Sequence, residues 1–170
     1  MLITIVVTGI LAAVAVTTAK LTGLSSDEAV YLTVNVSGSI DMAGLLLGGI
    51  LIGLLGILYD VAIGQAVAVE EIAAAGAHLS PKQIYKRAIR MGREHIGALV
   101  DTLAIVYVGA ALPLLLLFFM GGNGSASVIE ILNREVFAEE IVRILVGSIG
   151  LIIAVPITTL IATRMLTKKN

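Results

Sequence analysis

An all-α integral membrane bundle of four transmembrane helices is the fold class this sequence predicts, and three observations carry the prediction. Hydrophobic residues make up 58% of the 170 positions, with a mean hydropathy of +1.06, where soluble domains average roughly 45–50% apolar. Four apolar windows, at 1–19, 42–69, 96–120 and 141–163, approach or exceed the about 20 residues that cross a ~30 Å hydrocarbon core. The pieces between them are too short to fold alone, so residues 1–170 form a single membrane domain. Cysteine is absent, which removes disulfides, thiolate chemistry and iron–sulfur ligation.

The first window, 1–19, contains Ala13-Val14-Ala15 in the manner of a signal-peptide cleavage site, but no lysine or arginine precedes it. A signal peptide has a basic leading region, so a retained span ending at Lys20 is expected. Ser25 and Glu28 form a capping-box spacing that opens a short external helix to about Val36. Residues 24–40 are too short to span and apolar enough to lie in the interface or re-enter the membrane edge. Asp41 is placed to cap the next helix.

The stretch Met42–Val69 looks like the element around which the chain is organised. Gly44, Gly48, Gly49, Gly53 and Gly56 fall within thirteen residues, and Gly64 follows. Small residues at four-residue spacing let another helix approach closely, so these glycines are expected to pack. Asp60 lies in the same run, about 28 Å along a helix starting at Asp41. A carboxylate at that depth costs a few kcal/mol or more unless it faces protein or water.

Ser80-Pro81-Lys82-Gln83 is a helix start: serine cap, proline at the first position and glutamine at the third. Lys82, Lys86, Arg87, Arg90 and Arg93 give that helix a basic face suited to a cytoplasmic membrane surface. It leads towards the third span, with Gly92 or Gly97 as places to bend. Asp101 and Thr102 sit about one turn inside that span and Pro113 near its far side. Ser127 with Glu130 is placed to cap a short helix, and Asn133 the last one. There Glu139 and Glu140 precede Arg143 by four and three residues, a spacing for ion pairing. Gly147 and Gly150 give the fourth span a small-residue face, and Pro156 precedes Thr158 and Thr159. Eight of the eleven basic residues lie in 82–93 or in the tail, which places both termini in the cytoplasm.

The runs LTGLSSDEAVYL (21–32), GILIGLLGILYDVAIGQAVAVEEI (to 72), RMGREHIGALVDTLAIVYVGAALPLLLLF (90–118) and ILNREVFAEEIVRILVGSIGLIIAVPITTLIA (131–162) resemble the YibE/F family of prokaryotic multi-pass membrane proteins. The resemblance covers most of the chain after residue 20. It implies a prokaryotic inner-membrane location, without a defined activity. It also implies correspondence to the carboxy-terminal half of longer members, and hence a homo-oligomer or a hetero-complex with another membrane chain. A shorter resemblance, at Gly56–Ile63 and Arg87–Thr102, is to the repeat core of proton-driven RND-type transporters.

Antiparallel second and third spans would bring Asp60 and Asp101 to one level near the cytoplasmic face, with Gln65, Thr102, Thr158 and Thr159 nearby. Two close carboxylates cannot both ionise cheaply, so such a pair can share a proton or hold a cation. The expected role is therefore a transport protein or a transporter's membrane subunit; the alternative is a non-transporting assembly subunit. Each acid has a simpler role open to it, as a helix cap, as counter-charge to Arg90 and Arg93, or as the pair of a group on a partner subunit. The basic face can bind anionic lipid or a cytoplasmic partner, or merely fix topology. Paired aspartates on neighbouring spans also suit an intramembrane aspartyl protease, but Ala98-Leu99-Val100 lacks the glycine motif before the second aspartate, so no enzyme is expected. His78 and His95 lack a ligand cluster, and no metal, cofactor or nucleic-acid partner is expected.

Overall fold

The computed structural model describes residues 2–35, 40–76, 78–121 and 128–167. Among them the chain is all helical: α1 (Leu2–Thr18), α2 (Asp27–Asn35), α3 (Met42–Ala75), α4 (Pro81–Gly121), α5 (Val128–Leu132) and α6 (Glu135–Thr167). Three helices, α3, α4 and α6, are long and apolar enough to cross a membrane. The first predicted span, α1, is a shorter apolar helix of 17 residues.

Local chemistry sets most boundaries. Helix α1 ends with Lys20 at a φ of 54°, while Lys20 N–H donates to Thr17 O (3.3 Å) and Leu21 N–H to Val16 O (3.0 Å). That pair of bonds is a Schellman stop, with lysine in the left-handed position glycine usually takes. Asp41 caps α3 as expected, its Oδ1 accepting from Gly44 N–H at 2.9 Å. At the start of α4, Gln83 Oε1 accepts from Ser80 N–H (2.9 Å) and Ser80 Oγ (3.0 Å).

Two caps are shifted from the sequence reading. The α2 cap is Ser26, whose Oγ accepts from Ala29 N–H (3.2 Å), because Ser25 is taken by a contact to α6. The α6 cap is Arg134, whose carbonyl accepts from Phe137 and Ala138; Asn133 still belongs to the turn closing α5. Val36 and Ser127 lie outside the described residues. The basic helix runs into the third predicted span, as its sequence suggests, so the interfacial piece and that span are one element. It continues through Gly92 and Gly97 into the apolar part of α4 as one 41-residue helix. Pro113 and Pro156 likewise lie inside continuous helices.

Helix α6, not α3, is the hub, touching α1, α3, α4 and α5. Leu54 and Leu103 press on Gly147, Leu58 and Thr8 on Gly150, Gly92 on Val155, and Gln65 on Thr159. Rising numbers on both helices make α3 parallel to α6, and falling numbers make α4 antiparallel to it. Thr8 at Gly150 and Thr22 at Glu135 make α1 antiparallel as well. The core joins Ala12 and Val16 of α1, Ile50, Leu54, Leu58 and Val61 of α3, and Val146, Leu151, Ala154 and Val155 of α6. A second cluster, Val69, Ile84 and Ala88, closes the end where α3 turns into α4. Beyond Leu103 no described side chain of α4 is buried, although Tyr107 and Phe118 are half-buried and Phe118 meets Phe137 of α6 edge-on.

Candidate functional site

The buried polar centre of the bundle lies where α3, α4 and α6 meet. Gln65 is 6% exposed and Thr159 fully buried. Gln65 Nε2 donates to Thr159 Oγ1 (2.7 Å) and to Ala88 O (2.9 Å), and Thr159 Oγ1 in turn donates to Val155 O at 2.6 Å. One amide thus ties three helices together where an unpaired buried polar group would cost ~1–3 kcal/mol. The approach is possible because residue 92 has no side chain. A Cβ there would stand 2.4 Å from Val155 Cγ1 and 2.7 Å from Gln65 Oε1. Gly92 therefore serves close packing and not a bend. Its signal in the sequence is the small-residue spacing Ala88–Gly92, facing an isolated amide in an apolar run.

Next to this node, on the α4–α6 side, lies a groove of about 560 Å³ bordered by Tyr85, Arg93, Gly97, Asp101, Val155 and Pro156, among others. Asp101 is exposed on its rim. Val155 belongs to both places, separating the groove from Gly92 and Gln65. Thr158 is buried, and its Oγ1 has no hydrogen-bond partner among the described residues; Thr4 and Thr8 of α1 bring two more such hydroxyls. Thr102 is exposed and bonds back to its own helix at Ala98 O (2.8 Å).

Asp60 sits elsewhere. It is exposed on α3, two residues from the buried Leu58 and thus on the opposite side of the helix. It does not border the Asp101 groove. Of the six residues expected to gather, Gln65 and Thr159 touch, Thr158 adjoins them, Asp101 borders the neighbouring groove, and Asp60 and Thr102 stand outside. The reason is helical phase: Leu54, Leu58, Val61, Gln65 and Val69 claim the face towards α6, which turns Gly49, Gly53, Gly56, Asp60 and Gly64 outward.

The glycines divide the same way. Gly147 and Gly150 are buried, and a Cβ would meet Leu54 and Leu103 at 2.8 Å in one case and Thr8 Oγ1 at 2.9 Å in the other. Gly44 lies under its own cap, Asp41, and Gly53 has Tyr107 Oη at 3.9 Å from a would-be Cβ. At Gly48, Gly49, Gly56 and Gly64 a Cβ would meet nothing within 4 Å among the described residues. Lys82, Lys86, Arg87, Arg90 and Arg93 are all exposed at one end of α4.

A second polar cluster, at the opposite end, joins Glu135 and Glu139 of α6 to residues 22–25. Glu135 accepts from Thr22 N–H, Thr22 Oγ1 (2.8 Å) and Gly23 N–H (2.9 Å). One turn on, Glu139 accepts from Ser25 Oγ at 2.7 Å. The two carboxylates clamp residues 22–25 onto α6. Arg143 pairs with Glu140 (3.4 Å) and lies over the Tyr107 ring, 5.4 Å from its centroid. Glu139 is thus bound to Ser25 where its spacing pointed to Arg143. Residues four apart on α6 were the visible signal; their partners across more than 110 positions were not.

Among the described residues no group of three or more histidine, cysteine, aspartate or glutamate side chains is placed to hold a metal ion. No curated protein and no solved structure matches the chain. A family model described as YibE/F-like protein matches residues 1–168, taking in α1 as well as the stretches that carry the resemblance. With that match spanning nearly the whole chain and every long helix described above, the protein belongs to the YibE/F-like family.

Proposed function

We propose that this chain is a membrane subunit of a proton- or cation-linked transport assembly, with α1, α3, the apolar part of α4 and α6 as four spans. In this reading both termini are on the cytoplasmic side of a prokaryotic cell membrane, following the bias of basic residues. Helix α1, at about 26 Å, is short for a ~30 Å core, a mismatch that local thinning accommodates at modest cost.

The observation that carries the reading is the position of Asp101. It borders an open groove of about 560 Å³ that also holds Arg93, one side chain away from the buried Gln65–Thr159 node. An ionisable group inside a span, beside a cavity able to admit water, has the setting of a proton or cation site. Asp60 supports the assembly part of the proposal. Exposed on one chain, it is costly against acyl tails, and a second copy or another membrane chain over the glycine face of α3 would remove that cost.

The open glycine face also favours a second reading, an assembly subunit that carries no flux. The two separate in vesicles loaded with a pH-sensitive dye. Transport predicts that Asp101→Asn abolishes proton movement and Asp60→Asn reduces it, with the protein still inserted. Unchanged flux in both variants, or none in the native protein beside its co-purifying chains, leaves the assembly reading.

A further inference from the structure

At the basic end of α4, Lys86, Arg87, Arg90 and Arg93 surround a hollow of about 530 Å³ floored by Ile89. Ile89 and Arg93 also border the groove described above, so the two hollows lie side by side along α4. The groove's wall next to them is apolar, built from Ile96, Gly97 and Val100 of α4 and Ile152 of α6. Asp101 lies at the other end, eight residues from Arg93 and about 12 Å along the helix. A strongly cationic hollow thus lies next to a largely apolar one.

Among the described residues none of the four cations makes an ion pair. The nearest acid on the same helix, Glu94, is exposed, and Glu71 of α3 borders a different hollow with Arg87. The cations precede the apolar window 96–120 by about one to three turns, which is headgroup level if α4 is inserted from there.

We propose that the paired hollows bind an anionic phospholipid, its phosphate among Lys86, Arg90 and Arg93 and one acyl chain along the groove beside Ile96 and Gly97. Charge and shape both select this occupant. A free phosphate would leave the apolar groove uncovered, and a zwitterionic lipid would place a fifth cation among four. Basic pockets between helices on the cytoplasmic side are suited to anionic headgroups. The inference rests on the membrane insertion proposed above and not on transport.

The test uses the full chain in nanodiscs of equal parts phosphatidylglycerol and phosphatidylcholine, released into native mass spectrometry to count retained lipids. Retention should favour phosphatidylglycerol by about tenfold or more, and Lys86→Gln with Arg90→Gln should remove that preference. Lys82→Gln, on the same helix but outside the hollow, should change it less than about twofold. Equal retention of the two lipids, or equal loss in the Lys82 variant, overturns the proposal. So does displacement of bound lipid by millimolar inorganic phosphate. Extraction of the chain from membranes by carbonate would instead sink the insertion on which it rests, so the two failures are distinguishable.

Discussion

Gly92→Ala is the sharpest probe of how the bundle is held together. The added methyl would sit 2.4 Å from Val155 Cγ1 and 2.7 Å from Gln65 Oε1, against a carbon–carbon optimum near 3.5–4.0 Å. Neither neighbour can yield freely: Val155 is 1% exposed, and Gln65 is fixed by its bonds to Thr159 and Ala88. Overpacking of this kind costs ~1–3 kcal/mol, and pushing the amide off Thr159 forfeits about 1 more. Alanine's better helix propensity returns at most about 1 kcal/mol. A net destabilisation of roughly 1–3 kcal/mol follows from these terms, to be read from reversible unfolding in mixed micelles. Val155→Ala removes the closest atom, so in the double variant the two costs should be less than additive by about 1 kcal/mol, as for residues in contact. A neutral or stabilising Gly92→Ala, or strict additivity with Val155→Ala, would refute the claim that this glycine is the point where α4 reaches α6.

Other substitutions test other seams. Gly56→Ala and Gly64→Ala add a methyl where nothing lies within 4 Å, so each should leave the isolated chain as stable as before or better by up to about 1 kcal/mol. The same changes should weaken any complex isolated from native membranes if another helix covers that face, as cross-linking yield would reveal. Lys20→Gly relieves a left-handed lysine at φ 54° in the turn after α1 and should stabilise by roughly 0.5–1 kcal/mol, visible as a raised melting temperature in detergent. Glu135→Gln keeps the side chain's shape but weakens its three bonds to Thr22 and Gly23. Amide exchange over residues 19–26 should then quicken while that of the buried part of α6 does not.

Much of the architecture was legible because it depends on period, length and local capping chemistry. Apolar windows marked the helices; Asp41 and Ser80-Pro81 announced where α3 and α4 begin, and the structure starts them there. The family could be read from long ordered runs of residues. Glycines at fixed intervals announced that helices would approach closely, which holds at Gly147 and Gly150 but not at Gly48, Gly49, Gly56 or Gly64 within this chain. All of this follows from interactions within a few residues of each other or from surface chemistry along one helix.

What tertiary packing decided was rotation and partnership. Sequence could not say which side of α3 would turn inward, because the helix is apolar nearly all round. Leu54, Leu58 and Gln65 were chosen by fit against α6, and that choice swung Asp60 and its glycines outward. Ser25, Glu135 and Glu139 illustrate the same limit: a carboxylate four residues from an arginine reads as a local pair until a distant hydroxyl is folded onto it. Period and charge are properties of a chain by itself, whereas the face a helix buries is a property of its neighbours.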